Sequence, residues 1–173
     1  RTLHDNGRKN LGMVSLLDEA SGDLLVSAMH DNDAAPVEKV RYRQDEGING
    51  RILKSNQAWI LPRVGDEPRF LDRLNLFDAD LPLVGVPIRA GADETAVGVF
   101  ALQPPVADGL LEQRARFAEM VANLIGQAVL LSQSVEAERS ALRDERDSLR
   151  RHLKGNHGFD SIIGHTERMR MVF

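Results

Sequence analysis

Apolar positions from about Leu110 to Leu153 fall in alternating steps of four and three: Phe117, Val121, Leu124, Ala128, Leu131, Val135, Leu142 and Leu149. Glu138, Glu145 and His152 fill the remaining places of the same row. This is the heptad spacing of a coiled-coil seam. In the first half nearly every seam position is apolar, so that half is expected to pack on a domain, with a partner as a further option. In the second half only every seventh residue is apolar, within EAERSALRDERDSLRRHLK, a run of both charge signs without Gly or Pro. That half is expected to project as a weak parallel coiled coil; a solvated single helix with ion pairs four residues apart is the alternative.

Upstream, the period changes to two. Leu11–Leu17 and Leu24–Met29 are apolar runs separated by DEASGD, which predicts a hairpin with Ser21-Gly22 in the turn. Val37–Arg43 alternates imperfectly and predicts an edge strand. From Gly47 the spacing of Ile48, Ile52 and Leu53 predicts a short helix, with Asn56 as its left-handed end residue. Ala58–Leu61 predicts a brief strand stopped by Pro62, and Asp66 with Pro68 predicts the start of a second short helix over RFLDRLNLF. Leu81–Ile88 and Thr95–Leu102 predict a second hairpin across RAGADE, ended by Pro104-Pro105. The expected fold is α+β: an antiparallel sheet with helices at one face and a long C-terminal helix.

At 173 residues the chain suits one domain with an appendage. A net charge of -4 with mixed acids and bases gives no footprint for nucleic acid, so this segment is not expected to bind DNA itself. No apolar run approaches a membrane span, and RTLHDNGRKN is too polar for a signal peptide, so a cytoplasmic segment cut from a longer protein is expected. The absence of cysteine removes disulfides, thiolate nucleophiles and thiolate metal ligands. The five histidines show no metal spacing, and no Ser/His/Asp or paired-carboxylate arrangement stands out, so no enzyme, cofactor or metal is expected.

The passage DEGINGRILKSNQAWILPRVGDEPRF resembles the GAF-domain pattern, through Gly47, Gly50, Asn56, Ala58–Leu61 and Asp66, Pro68, Arg69, Phe70. The pair LPLVGVPIR and TAVGVFALQ and the order of elements resemble it too. GFDSIIGHTERMRMVF resembles the opening of the AAA+ domain of sigma54-dependent activators, and VRYRQDEGING, EPRFLDRLNLFD and RFAEMVANLIGQAV resemble NifA-type activators of nitrogen-fixation genes. The resemblance implies a GAF sensor over residues 1–133 with its first helix reduced, a helical linker over 134–157 and the start of an AAA+ domain over 158–173. It also implies a homodimer paired through Phe117, Val121, Leu124, Leu131, Val135, Leu142 and Leu149, and a NifL-like anti-activator as partner. Sigma54 RNA polymerase and DNA would be engaged only by other domains.

Arg69 and Arg73, four apart on the expected second helix, with Arg63 upstream, form a clamp suited to a carboxylate or phosphate. A solvated face with Arg73 paired to Asp72 or Asp66 is the competing reading. The family resemblance places a small ligand between the sheet and the connecting helices, with 2-oxoglutarate the leading effector. The helix beginning near Gly47 would aim backbone N–H groups at the same cavity. Trp59, the only tryptophan, sits beside it as core or as pocket wall. A GAF domain that only dimerises or binds proteins, and one that binds a cyclic nucleotide, remain alternatives.

Overall fold

The computed structural model describes residues 10–30, 40–105 and 109–160, with side chains as far as His152. It contains two compact units, Arg1–Leu130 and Leu131–Phe173. The elements are β1 (Leu11–Leu17), β2 (Leu24–His30), β3 (Arg41–Tyr42), α1 (Gly47–Ser55), β4 (Trp59–Leu61), a 3-10 turn (Val64–Asp66), β5 (Leu83–Ala90), β6 (Thr95–Gln103) and α2 (Leu111–Asp160). The strands form one antiparallel sheet in the order β3-β2-β1-β6-β5-β4.

Both predicted hairpins form. In the first, the Asp18 carboxylate accepts from the Ser21 hydroxyl at 2.5 Å and Gly22 takes φ 73, which closes the turn. That hydrogen bond holds the Asp18 carboxyl below its usual range. The predicted edge strand is shorter than Val37–Arg43: β3 covers Arg41–Tyr42 at the sheet edge, the Val40 carbonyl also accepts from the Val26 N–H at 3.0 Å, and 37–39 lie outside the described residues.

Alternation along β5 and β6 sends side chains to two cores, which is why both strands read as nearly unbroken apolar runs. On one face Met13, Leu83, Val99 and Ala101 meet Ile48 and Ile52 of α1, with Leu24, Val26, Tyr42, Leu61 and Val64. On the other, Val84, Val86, Ile88, Phe100 and Leu102 meet Ala115, Ala118 and Ala122 of α2. The α+β antiparallel class holds, with α1 and the connection after β4 at one face and the start of α2 at the other.

The second short helix does not form: residues 67–82 make turns and bends. Asp72 accepts from the backbone N–H groups of Leu74 (3.3 Å) and Phe77 (2.8 Å), and Asn75 takes φ 50. A side-chain acceptor that offers the backbone such bonds competes with the helix. The segment then folds inward, with Phe70 and Phe77 edge to face at 5.6 Å. Gln103 pins it by accepting from the Asp78 N–H and donating to the Asp78 carbonyl, both at 2.8 Å.

The predicted seam also divides differently. Ala118 and Ala122 are fully buried, with Val121 and Ile125 partly buried beside them, whereas Phe117 is 55%, Leu124 66% and Leu131 67% exposed. The start of α2 thus docks through its small residues, and of the large seam residues expected to dock only Val121 does. In the second unit Leu142 and Leu149 are 58% and 59% exposed. The helix reaches Asp160, beyond the expected Leu153, and the expected start of an AAA+ domain falls largely on 161–173, outside the described residues.

Candidate functional site

The α1 face carries the residues expected to hold a ligand. Gly47 opens α1 at φ 64, and a Cβ there would lie 3.2 Å from the Arg69 carbonyl and 3.3 Å from Leu71 Cδ1. Gly50 is as constrained: its Cβ would come within 2.5 Å of the Gln44 carbonyl. The Gly-x-x-Gly spacing is thus what lets the loop before α1 and the loop after β4 close on the helix start. A crevice of about 10 Å³, room for one water, lies there among Tyr42, Glu46, Gly47, Ile48, Asn49, Phe70 and Leu71.

Arg73 holds two of the residues that line this crevice. Its guanidinium donates to the Glu46 carboxylate and to the Arg41 carbonyl and stacks 5.2 Å from the centre of the Tyr42 ring. Its partner is therefore Glu46, neither Asp72 nor Asp66. Tyr42 is the buried floor of this group, and burial pushes its phenol above the usual value.

The other expected ligands stand elsewhere. Arg63 is exposed and shared between Asp80 (2.5 Å) and Asp66 (3.2 Å); the hydrogen bond with Asp80 raises its pKa further. The Arg69 side chain is exposed, and its i,i+4 relation to Arg73 carries no geometry because no helix spans the two. Trp59 is half-buried at the end of the core, with Arg51 stacked 5.1 Å from its ring centre. Gly47 and Arg73 are thus joined through Glu46 and Tyr42, which sequence reasoning missed. A carboxylate directly before the Gly-x-x-Gly start was the available signal.

The second candidate is the outward face at the start of α2, where Phe117, Met120 and Leu124 are exposed; in the second unit Leu131 and Val135 are exposed as well. Among the described residues no cluster of His, Cys, Asp or Glu is able to hold a metal ion, and no helix is long and apolar enough to cross a membrane.

The family model "GAF domain" matches residues 2–129. A Nif-specific regulatory protein of Azotobacter vinelandii is 43% identical over 99% of this chain and 33% of its own length. One of Enterobacter agglomerans is 40% identical over 98% of this chain and 32% of its own length. The chain therefore spans about a third of the length of the curated relatives it matches. Among solved structures, the A. aeolicus nlh2 GAF domain in an inactive state superposes with a TM-score of 0.60 at 19% identity, covering 70% of this chain and 74% of that one. At that identity it shows the fold alone. The fold and the matches along the sequence agree: the chain belongs to the GAF domain family and is similar to part of the Nif-specific regulatory proteins.

Proposed function

We propose that the chain is the cytoplasmic regulatory domain of a transcription activator of nitrogen-fixation genes, working as a homodimer. Its α2 helices pair through Phe117, Leu124, Leu131, Val135, Leu142 and Leu149 and pass the state of the domain to an AAA+ ATPase that acts with sigma54 RNA polymerase on DNA. Val121, claimed by the sheet side, drops out of the seam. One observation carries the reading: at the start of α2 Phe117 and Leu124, at heptad spacing, are exposed, while Ala118 and Ala122 beside them are buried. Burying a large apolar side chain contributes about 1.5–3 kcal/mol, so a row of them favours pairing even with Glu138 and Glu145 facing like charges. The test is the mass of the chain in solution by sedimentation. A dimer is expected, and Leu124→Glu with Leu131→Glu should give a folded monomer; equal masses for the two proteins would contradict the reading.

The input we propose is a small dicarboxylate, 2-oxoglutarate first. The Glu46 carboxylate seated on Arg73 beside the α1 start is an internal group that an incoming carboxylate would replace, the crevice, now the size of one water, opening to admit it. Arg73, Arg69 and the Gly47 N–H are its contacts in this reading, with Arg63 and Trp59 at the margin. No catalytic step is assigned to the chain. Calorimetry with 2-oxoglutarate should give saturable heat, weakened about tenfold or more in Arg73→Ala, since a charge-assisted hydrogen bond contributes about 1.5–3 kcal/mol. No heat, with an anti-activator of NifL type bound equally by both proteins, would move the input to that partner. No heat with a cyclic nucleotide is expected.

A further inference from the structure

Arg89 touches a helix on each face of the sheet. Its side chain closes on Asn56, the left-handed residue (φ 53) that ends α1: Nε donates to Asn56 Oδ1 at 2.9 Å and Nη2 to the Asn56 carbonyl at 2.7 Å. The Asn56 amide in turn donates to the Glu94 carbonyl at 3.0 Å, in the turn between β5 and β6. Asn56 thus does more than tolerate its backbone geometry. It holds the end of α1 to the hairpin that continues into the α2 face.

The main chain of Arg89 meets α2. A Cβ placed on Gly126 would fall 1.9 Å from the Arg89 carbonyl oxygen, so the helix backbone lies directly on this strand and only glycine fits. Gly126 continues the row of Ala118 and Ala122 at steps of four, both fully buried. Arg89 also sits where the β5–β6 register shifts, between Ile88 and Arg89. The extra residue is Val97 on β6, opposite Arg89, so the ladder is interrupted directly beside the Arg89 peptide.

We propose that Asn56, Arg89 and Gly126 form the mechanical link between the ligand-side helix and the output helix. A displacement of α1 pulls on the guanidinium, turns the Arg89 peptide at the bulge and changes the seat of α2 at Gly126. Packed elements with two arrangements transmit such displacements without large motion. The link rests on the reading of α2 as the output element, but its test needs neither ligand nor effector.

Hydrogen exchange on the 173-residue chain tests it, with sedimentation run in parallel on each protein. Asn56→Gly keeps the left-handed turn and the backbone acceptor while removing both side-chain bonds. It should speed exchange of the amides at 122–130 by about tenfold, the loss expected for a charge-assisted bond, while the β1–β6 ladder stays protected. Gly126→Ala should act in the other direction, speeding amides at 52–56 and 91–95 across the sheet, because coupling between two sites is reciprocal. Effects confined to 52–57 and 91–95 in Asn56→Gly would overturn the link. If Gly126→Ala loses protection in the β1–β6 ladder as well, Asn56→Gly alone decides. A dimer with no transmitted effect overturns the link and leaves the proposed function; a monomer with the transmitted effect does the reverse.

Discussion

Along the start of α2, Ala115, Ala118 and Ala122 lie against the sheet, while Phe117, Met120 and Leu124, on the same turns, face away from it. The two faces divide the work by size. Small residues bring the helix backbone onto the strands, so the apolar area buried there is mostly that of Val84, Val86, Ile88 and Phe100. The large residues are left to make a second contact. A helix that served the domain alone would place its leucines inward, as the hydrophobic effect favours. The outward placement of Phe117 and Leu124 supports the proposal that α2 is shared between the domain and a second copy.

Substitutions on the two faces should therefore differ in kind. The largest effect is expected on the closed face: Ala118→Leu has no space and should destabilise the domain by about 1–3 kcal/mol in urea unfolding. A stable variant would mean that α2 sits more loosely than the buried alanines imply. Next comes the polar seam. Glu138→Leu with Glu145→Leu replaces facing like charges by apolar layers and should tighten the dimer about tenfold or more by sedimentation equilibrium. An unchanged dissociation constant would remove these residues from the interface. On the open face, Leu124→Ala should leave the unfolding free energy of the monomer within about 0.5 kcal/mol while weakening association. Destabilisation like that of Ala118→Leu would erase the distinction between the faces.

The smallest effect concerns the α1 face. Burial raises the pKa of Tyr42, the only tyrosine in the chain. The folded state keeps this proton at pH values where the unfolded chain has lost it. Its contribution to stability is thus full below about pH 10 and is lost as the pH rises through the folded value. Phenolate absorbance should appear above the usual range and coincide with loss of stability, which Tyr42→Phe should blunt. Titration at the ordinary value would place Tyr42 in solvent.

The hairpins were legible because period-two alternation and turn residues act locally, as Ser21-Gly22 does. Asn56 was legible as a left-handed end for the same reason, but its grip on Arg89 was not, being a contact 33 residues away in sequence. The loop after β4 was misread because Pro68 and the spacing of Phe70, Leu71 and Leu74 fit a helix. The outcome turned on Asp72 bonding its own neighbours and on Phe70 and Phe77 finding the core. With that helix went the i,i+4 relation of Arg69 and Arg73, and Arg73 is paired to Glu46. The row of large apolar residues was legible in position but not in direction: heptad reading ranks large apolar residues first, and Ala118, Ala122 and Gly126 at steps of four were the unread signal for the face that docks.

The central claim is that the exposed row of α2 is the seam between two copies of this chain. With no native cysteine, it can be tested by one residue at a time. Leu142→Cys and Arg143→Cys are compared under mild oxidation at the same protein concentration. In a parallel in-register pair the two copies of residue 142 face each other within the reach of a disulfide, about 4.4–6.8 Å between Cα atoms, and those of 143 point aside. The account predicts rapid, nearly complete cross-linking at 142 and little at 143. Equal, slow cross-linking at both positions would contradict it.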